Sequence, residues 1–317
     1  MLALLFPGQG SQEVGMGRDA WEASRAAREV FEAADGVLGF PLSRLCFEGP
    51  EEELRRTENQ QPAILATSVA LLRLLQEQGL ATPAFVAGHS LGEYTALVAS
   101  GSVSFGDAVR LVHARGRFMQ EAVPEGRGAM AAVIGATQAQ VEACCRAAEA
   151  DTGQVVSPAN YNAPPQTVIA GHAAAVERAC ARAREEGAKR TVPLSVSAPF
   201  HCAMMAPAAE KLSLELSGVR FADPVPPVMT NVEAAPNGEG ARVASLLERQ
   251  VTEPVRFVEM VQALSGCGVS RVLDVGPGGV LRGLVRRIDR EIERANCSTL
   301  DEAEGAVAFA AEGKASK

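Results

Sequence analysis

The chain has few aromatic residues, no Cys-x-x-C pair, no excess of positive charge and no apolar run of membrane-spanning length. Each lack removes a class of function. Aromatics are 4% of 317 residues, with one Trp and two Tyr, so packing must rely on small and aliphatic side chains. The net charge of −8 argues against nucleic acid as a main partner, because grip on a phosphate backbone needs a positive surface. Seven cysteines (Cys46, Cys144, Cys145, Cys180, Cys202, Cys267, Cys297) and four unclustered histidines form neither a disulfide framework nor a zinc pattern. Cys144-Cys145 lies in an alanine-rich helical stretch and reads as packing. Free thiols suit a reducing cytoplasm, the expected location. The N-terminal Met1-Leu2-Ala3-Leu4-Leu5-Phe6 lacks a basic flank and runs into Pro7-Gly8, so it reads as a core strand and not a signal peptide.

What is present centres on Gly88-His89-Ser90-Leu91-Gly92-Glu93-Tyr94. An apolar strand-like run, residues 84–87, precedes this Gly-x-Ser-x-Gly, and a helical run, residues 94–99, follows it. A serine at a tight strand-to-helix turn exposes its hydroxyl, and the free N–H groups of the helix start can meet a developing oxyanion. Ser90 therefore reads as an acyl-carrying nucleophile. Two other glycine-rich turns do not read as nucleotide sites. Gly8-Gln9-Gly10 has Glu13 where a third glycine would stand, Gly276-Pro277-Gly278 has Leu281, and neither carries the Lys-Ser/Thr of a phosphate loop.

Periodicity predicts helices over residues 19–34, 62–78 and 105–123. From Pro124-Glu125-Gly126-Arg127-Gly128 onward the pattern becomes strand 129–134, helix 137–150, strand pieces over 155–170, helix 173–186 and strand 190–196. That order is the split βαβ of a ferredoxin-like unit. The expected fold is α/β: an α/β-hydrolase-like domain, residues 1–124 and 196–300, with a parallel sheet flanked by helices, and a ferredoxin-like insertion over 125–195. Residues 301–317 read as a flexible tail.

A serine nucleophile needs a base. His89 adjoins it, but the side chain before the nucleophile points away at such a turn. His113 sits on another helix face from Arg115, and His172 lies at a helix start in the insertion. His201, where the chain leaves the insertion, is favoured among the four. Arg115 is either a solvated helix arginine or a clamp for a carboxylate.

The ordered set Phe6-Pro7-Gly8-Gln9-Gly10-Ser11-Gln12, Gln61-Pro62-Ala63, Gly88 to Tyr94, Arg115-Gly116, residues 128–133, Asn160-Tyr161-Asn162, Pro199-Phe200-His201 and Asp274-Val275-Gly276-Pro277-Gly278 resembles the malonyl-CoA:acyl carrier protein transacylase family. The likeness runs to about residue 290. It implies a malonyl ester on Ser90, His201 as base and then acid, an oxyanion hole from the N–H groups of Gln9 and Leu91, and Arg115 on the malonyl carboxylate. Gln250 matches the position whose backbone carbonyl orients the histidine. Gln61 and Asn162 are implied cleft-lining residues, and Phe200 implies malonyl over methylmalonyl. The substrates implied are malonyl-CoA and phosphopantetheinylated acyl carrier protein, with no bound cofactor or metal and no nucleic-acid or membrane partner. A monomer is compatible with all of this. Two basic sets could dock an acidic carrier: Arg182, Arg184, Lys189 and Arg190, or Arg282, Arg286, Arg287 and Arg290. The rivals are a serine acyl hydrolase, a discrete acyltransferase serving a polyketide synthase, and a non-enzymatic carrier-binding module.

Overall fold

The first strand sets the architecture. β1 (Leu2–Phe6) is apolar at every position and buried at every position, as a central parallel strand covered on both faces must be. Leu2, Leu4 and Phe6 enter one apolar core, while Ala3 and Leu5 enter another. The computed structural model describes residues 1–312 except Ser195 and Ser197. The other strands are β2 (Phe85–Gly88), β3 (Gly128–Ile134), β4 (Val156–Ala163), β5 (Gln166–His172), β6 (Arg190–Pro193), β7 (Val228–Met229), β8 (Pro236–Asn237), β9 (Arg271–Val275) and β10 (Glu293–Cys297).

The larger sheet has the order β10-β9-β1-β2-β7-β8. Its first five strands are parallel, and only the short edge strand β8 runs antiparallel, against β7. On one side the core includes Phe31, Leu65, Leu71 and Val112, from helices Arg25–Leu38, Thr57–Glu77 and Phe105–Glu121. On the other side Met260, Val261 and Val285 come from helices Phe257–Gly266 and Val280–Ile288. The expected α/β fold with a helix-flanked parallel sheet is what the chain forms.

The smaller sheet, order β4-β5-β3-β6, is antiparallel throughout and follows the ferredoxin-like strand–helix–strand–strand–helix–strand path. β3 again divides by alternation. Ala131 and Val133 pack on the insertion's own helices with Val141, Cys144 and Cys145, while Met130 and Ala132 join the main core. β4 is stitched to the main body at Val255, whose carbonyl accepts from Tyr161 N–H at 2.9 Å and whose N–H donates to Ala159 at 2.9 Å. This arrangement holds one face of the small sheet beside the C-terminal edge of the large one.

Several expectations need correction. The helix expected over 19–34 is two helices, Arg18–Ala23 and Arg25–Leu38, parted at Ser24, whose hydroxyl accepts from Ala27 N–H. The helix expected from Pro62 starts five residues earlier, at Thr57. Proline inside a helix leaves the carbonyl four residues back without its donor. Here that carbonyl belongs to Glu58, and the His113 ring meets it through Nδ1 at 2.9 Å. The tail expected to be flexible is ordered through a helix, Ala303–Ala311, with Ala303, Ala306 and Ala310 buried in the main core. Asp19 accepts from Leu300 N–H at 2.6 Å at its approach. Residues 313–317 lie outside the described residues.

Candidate active site

Glycine is obligatory on both sides of Ser90. A Cβ on Gly88 would stand 1.9 Å from the Gly92 carbonyl carbon, and one on Gly92 would stand 2.1 Å from the Phe6 carbonyl oxygen. The turn is therefore packed backbone to backbone against β1, and Ser90 is held at φ 53°, the left-handed region that side-chain-bearing residues rarely occupy. Asn231, just past β7, fixes that conformation. Its Oδ1 accepts from Ser90 N–H at 2.6 Å and its Nδ2 donates to the Gly88 carbonyl at 2.7 Å.

His201 also has positive φ, 58°. Its loop is braced by Pro199, which lies so close to β3 that a Cβ on Gly128 would fall 2.4 Å from the proline ring. The Ser90 Oγ to His201 Nε2 distance is 2.7 Å, and His201 Nδ1 lies 2.7 Å from the Gln250 backbone carbonyl. A carbonyl only accepts, so Nδ1 carries the proton and Nε2 is left to accept from the serine hydroxyl. Burial, and then the positive charge of Arg115, push the His201 pKa down to about 3.

Arg115 is no solvated helix arginine: it is 1% exposed. Its Nη1 donates to Gln61 Oε1 at 2.8 Å, and its Nη2 donates to Ser90 Oγ and to Gln250 Oε1, both at 3.0 Å. The guanidinium lies 5.5 Å from the Tyr94 ring centre. Its buried Nε has no partner among the described residues. Three of five N–H groups are thus engaged, and Arg115 lines the cavity beside Ser90.

That cavity measures about 500 Å³, with Gln9, Ser90, Arg115, Phe200 and His201 in its walls. Gln9 arrives on a loop pressed against the serine turn, since a Cβ on Gly8 would sit 2.5 Å from the His89 carbonyl oxygen. The loop is tied by Ser11 Oγ to the Gly8 carbonyl at 2.8 Å and by Gly10 N–H to Gln12 Oε1 at 2.9 Å. Neither the Gln9 nor the Leu91 amide has a hydrogen-bond partner among the described residues. The Ser90 amide, by contrast, is spent on Asn231.

Two expected cleft residues stand elsewhere. Gln61 lies behind Arg115, and its neighbour Gln60 takes the wall, because successive helical positions face different ways. Asn162 meets His89 Nε2 at 2.8 Å and borders a smaller adjoining cavity of about 140 Å³, while Asn160 lines the larger one. Register shifts between Pro158 and Asn160 and between Tyr161 and Ala163 disturb the alternation that would have matched the two asparagines.

Sequence reading missed Glu93 and Asn231. Glu93 is 2% exposed, accepts from Gln250 Nε2 at 2.5 Å and from Asn231 N–H at 3.3 Å, and burial raises its pKa to about 7. Its signal was available: it is the one charged residue in an otherwise apolar helical run after the nucleophile. Asn231 had no local signal. Of the basic sets, Arg182 pairs with Asp151 at 2.6 Å and Arg184 bonds Thr191 Oγ1 at 2.5 Å. On helix Val280–Ile288 and just beyond, Arg282, Arg286, Arg287 and Arg290 make no ion pair among the described residues, although Arg287 donates to Gln166 at 2.7 Å. No helix among the described residues is long and apolar enough to cross a membrane.

A parallel α/β sheet that presents a serine on a strand–helix elbow to a buried histidine is the architecture of acyl transferase domains, and the acyl transferase domain profile matches residues 3–302. The chain is 50% identical over 300 residues to the malonyl CoA-acyl carrier protein transacylase of Escherichia coli K12, covering 95% of this chain and 96% of that one. Its fold matches an acyl carrier protein S-malonyltransferase from Vibrio cholerae with a TM-score of 0.93 at 44% identity, covering 96% and 99% of the two chains. A malonyl-transacylase solved in complex with its type II PKS acyl-carrier protein matches with a TM-score of 0.94 at 45% identity, covering 97% and 99%. The chain belongs to the malonyl-CoA:acyl carrier protein transacylase family.

Proposed function

We propose that the protein moves a malonyl group from malonyl-CoA to the phosphopantetheine thiol of an acyl carrier protein, in the cytoplasm and for fatty-acid synthesis. The observation that carries this reading is Arg115: a buried cation with unused donors, 3.0 Å from the oxygen of the nucleophile. An acyl group whose far end is a carboxylate fits such a site; a neutral one leaves a desolvated guanidinium unpaired.

The chemistry follows from the geometry. Ser90 Oγ attacks the thioester carbonyl while its proton passes to His201 Nε2. The Leu91 and Gln9 N–H groups receive the oxyanion. Collapse expels coenzyme A, which takes the proton from His201, and leaves malonyl-Ser90. The carrier thiol then repeats the sequence in reverse: it yields its proton to Nε2, attacks the ester, and the proton returns to Ser90. The Gln250 carbonyl holds the imidazole without a full countercharge, so the imidazolium is less stabilised than beside a carboxylate. An activated thioester tolerates that. Burial is the larger cause of the low His201 pKa, and a malonyl carboxylate on Arg115 would offset the smaller part that the guanidinium adds, so the right substrate also makes the base somewhat stronger.

Phe200 stands in the cavity wall and would fill the space an α-methyl group needs. The boundaries 1–124 with 196–300 and 125–195 are the proposed division into catalytic domain and insertion, with the cavity between them. Service to a polyketide carrier is a second reading, favoured by the neighbour solved with such a carrier. Initial rates with malonyl-CoA and holo carrier varied together test the proposal. Parallel double-reciprocal lines are expected, and free malonate forming as fast as malonyl-carrier would overturn transfer. Phe200→Ser should raise methylmalonyl relative to malonyl transfer by about tenfold, read by carrier mass.

A further inference from the structure

Glu93 is a carboxyl group sealed inside the site, and the proposed transfer chemistry gives it no step. It lies three residues after the nucleophile, in the first turn of helix Gly92–Ala99, whose residues are buried from Gly92 to Val98. Burying a carboxylate costs free energy, and an apolar residue of similar size would serve packing better. Its contacts say what it does. The Gln250 side-chain amide has two N–H donors and one carbonyl acceptor. Nε2 donates to Glu93 Oε2 at 2.5 Å and to the Ser90 backbone carbonyl at 3.0 Å, while Oε1 accepts from Arg115 Nη2 at 3.0 Å. An amide can be turned over at almost no cost in shape, and turning this one would set its NH₂ against the guanidinium. A carboxylate can only accept. With Glu93 ionised on the far side and the Ser90 carbonyl accepting from the same nitrogen, the amide has one orientation and its oxygen faces Arg115.

We propose that Glu93 is a positioning residue: acting through the Gln250 side chain, it fixes Arg115 to receive a carboxylate and so sets the preference for carboxylated over neutral acyl groups. The inference rests on the malonyl-transfer reading. The backbone carbonyl of the same Gln250 holds His201, so one residue ties the carboxylate clamp to the base, and Glu93 orients only the side-chain half of it. Asn231 N–H, 3.3 Å from the same carboxylate oxygen, ties Glu93 in turn to the residue that grips the elbow.

Glu93→Gln keeps the shape and lets either end of the amide face Gln250. The test is the ratio of kcat/KM for Ser90 acylation by malonyl-CoA and by acetyl-CoA, in wild type, Glu93→Gln, Gln250→Met and the double variant. The ratio should fall about tenfold or more in Glu93→Gln, chiefly through KM for malonyl-CoA, and the double variant should be no worse than Gln250→Met alone. A merely structural role lowers both substrates together and leaves the ratio where it was. An unchanged ratio in Glu93→Gln, or losses that multiply in the double variant, would overturn the inference. Should Glu93→Gln not fold, the comparison is made in Glu93→Asp, where a ratio equal to wild type despite a broken Gln250 contact has the same consequence. The parent reading fails separately: wild type would then label equally with malonyl and acetyl groups.

Discussion

His201 is neutral over the whole range in which the protein would work, because burial and Arg115 both oppose its charged form. An ordinary histidine base would lose half its activity near pH 6.5. Acylation by acetyl-CoA, which brings no carboxylate to Arg115, should therefore show no acid limb between pH 5 and 8 and should fall only on approach to about pH 3. Rapid-quench acylation across that range checks it, and a limb centred near 6.5 that persists in Glu93→Gln, where the other carboxyl titrating in this range is gone, would show His201 to be ordinary. The turn that exposes Ser90 was legible in Gly88-His89-Ser90-Leu91-Gly92, whereas the residues alone left His201 one candidate among four and Arg115 open between two readings, and the family resemblance singled them out. Glu93 and Asn231 were not legible, because they act through neighbours distant in sequence. Ser90 and Asn231 are 141 positions apart, and only the pairing of β2 with β7 joins them.

At the scale of elements, sequence periodicity found the strands and helices that alternate cleanly and misjudged those set by tertiary contacts. β1 and the strand–elbow–helix unit were plain. The start of the Thr57–Glu77 helix was hidden by Pro62, whose missing hydrogen bond is made good by His113, a residue 51 positions away that no local pattern connects to it. The composition beyond Asp301 read as a flexible tail, yet three alanines of helix Ala303–Ala311 are buried in the main core. Asp274 offers a prediction at this scale. It stands one residue before the end of β9 and accepts from Arg282 N–H at 3.1 Å, in the first turn of the next helix, while its other oxygen is buried without a partner among the described residues. Burial raises its pKa from 3.8 to about 7. A raised carboxyl contributes stability that is full below the unfolded value and is lost as pH rises through the folded one. Asp274→Asn keeps the acceptor and cannot ionise. The variant should gain on wild type between pH 4 and pH 8 by a few kcal/mol at most, seen as diverging melting temperatures; parallel curves would contradict this.

For the whole molecule, the net charge of −8 means that an acidic carrier must find a local positive surface. The arginines of the Val280–Ile288 region suit that role better than those of the insertion, whose charge Asp151 partly cancels. Reversing Arg286 and Arg287 to Glu should raise KM for the carrier several-fold in low salt and leave KM for malonyl-CoA alone, with the difference fading as salt is added. An unchanged carrier KM would remove this surface. The small sheet was legible from its strand–helix–strand–strand–helix–strand order, in which each helix crosses over between two parallel strands with a third, antiparallel strand between them.

The central claim is that Ser90 carries the acyl group and Arg115 selects it. Intact-protein mass spectrometry after brief incubation with malonyl-CoA, acetyl-CoA or methylmalonyl-CoA tests both at once, in wild type, Ser90→Ala and Arg115→Ala. A malonyl-sized adduct on wild type, little from the other two donors, none on Ser90→Ala and lost malonyl preference in Arg115→Ala are the predicted results. Labelling that survives in Ser90→Ala, or acetyl labelling of wild type equal to malonyl, would contradict the account.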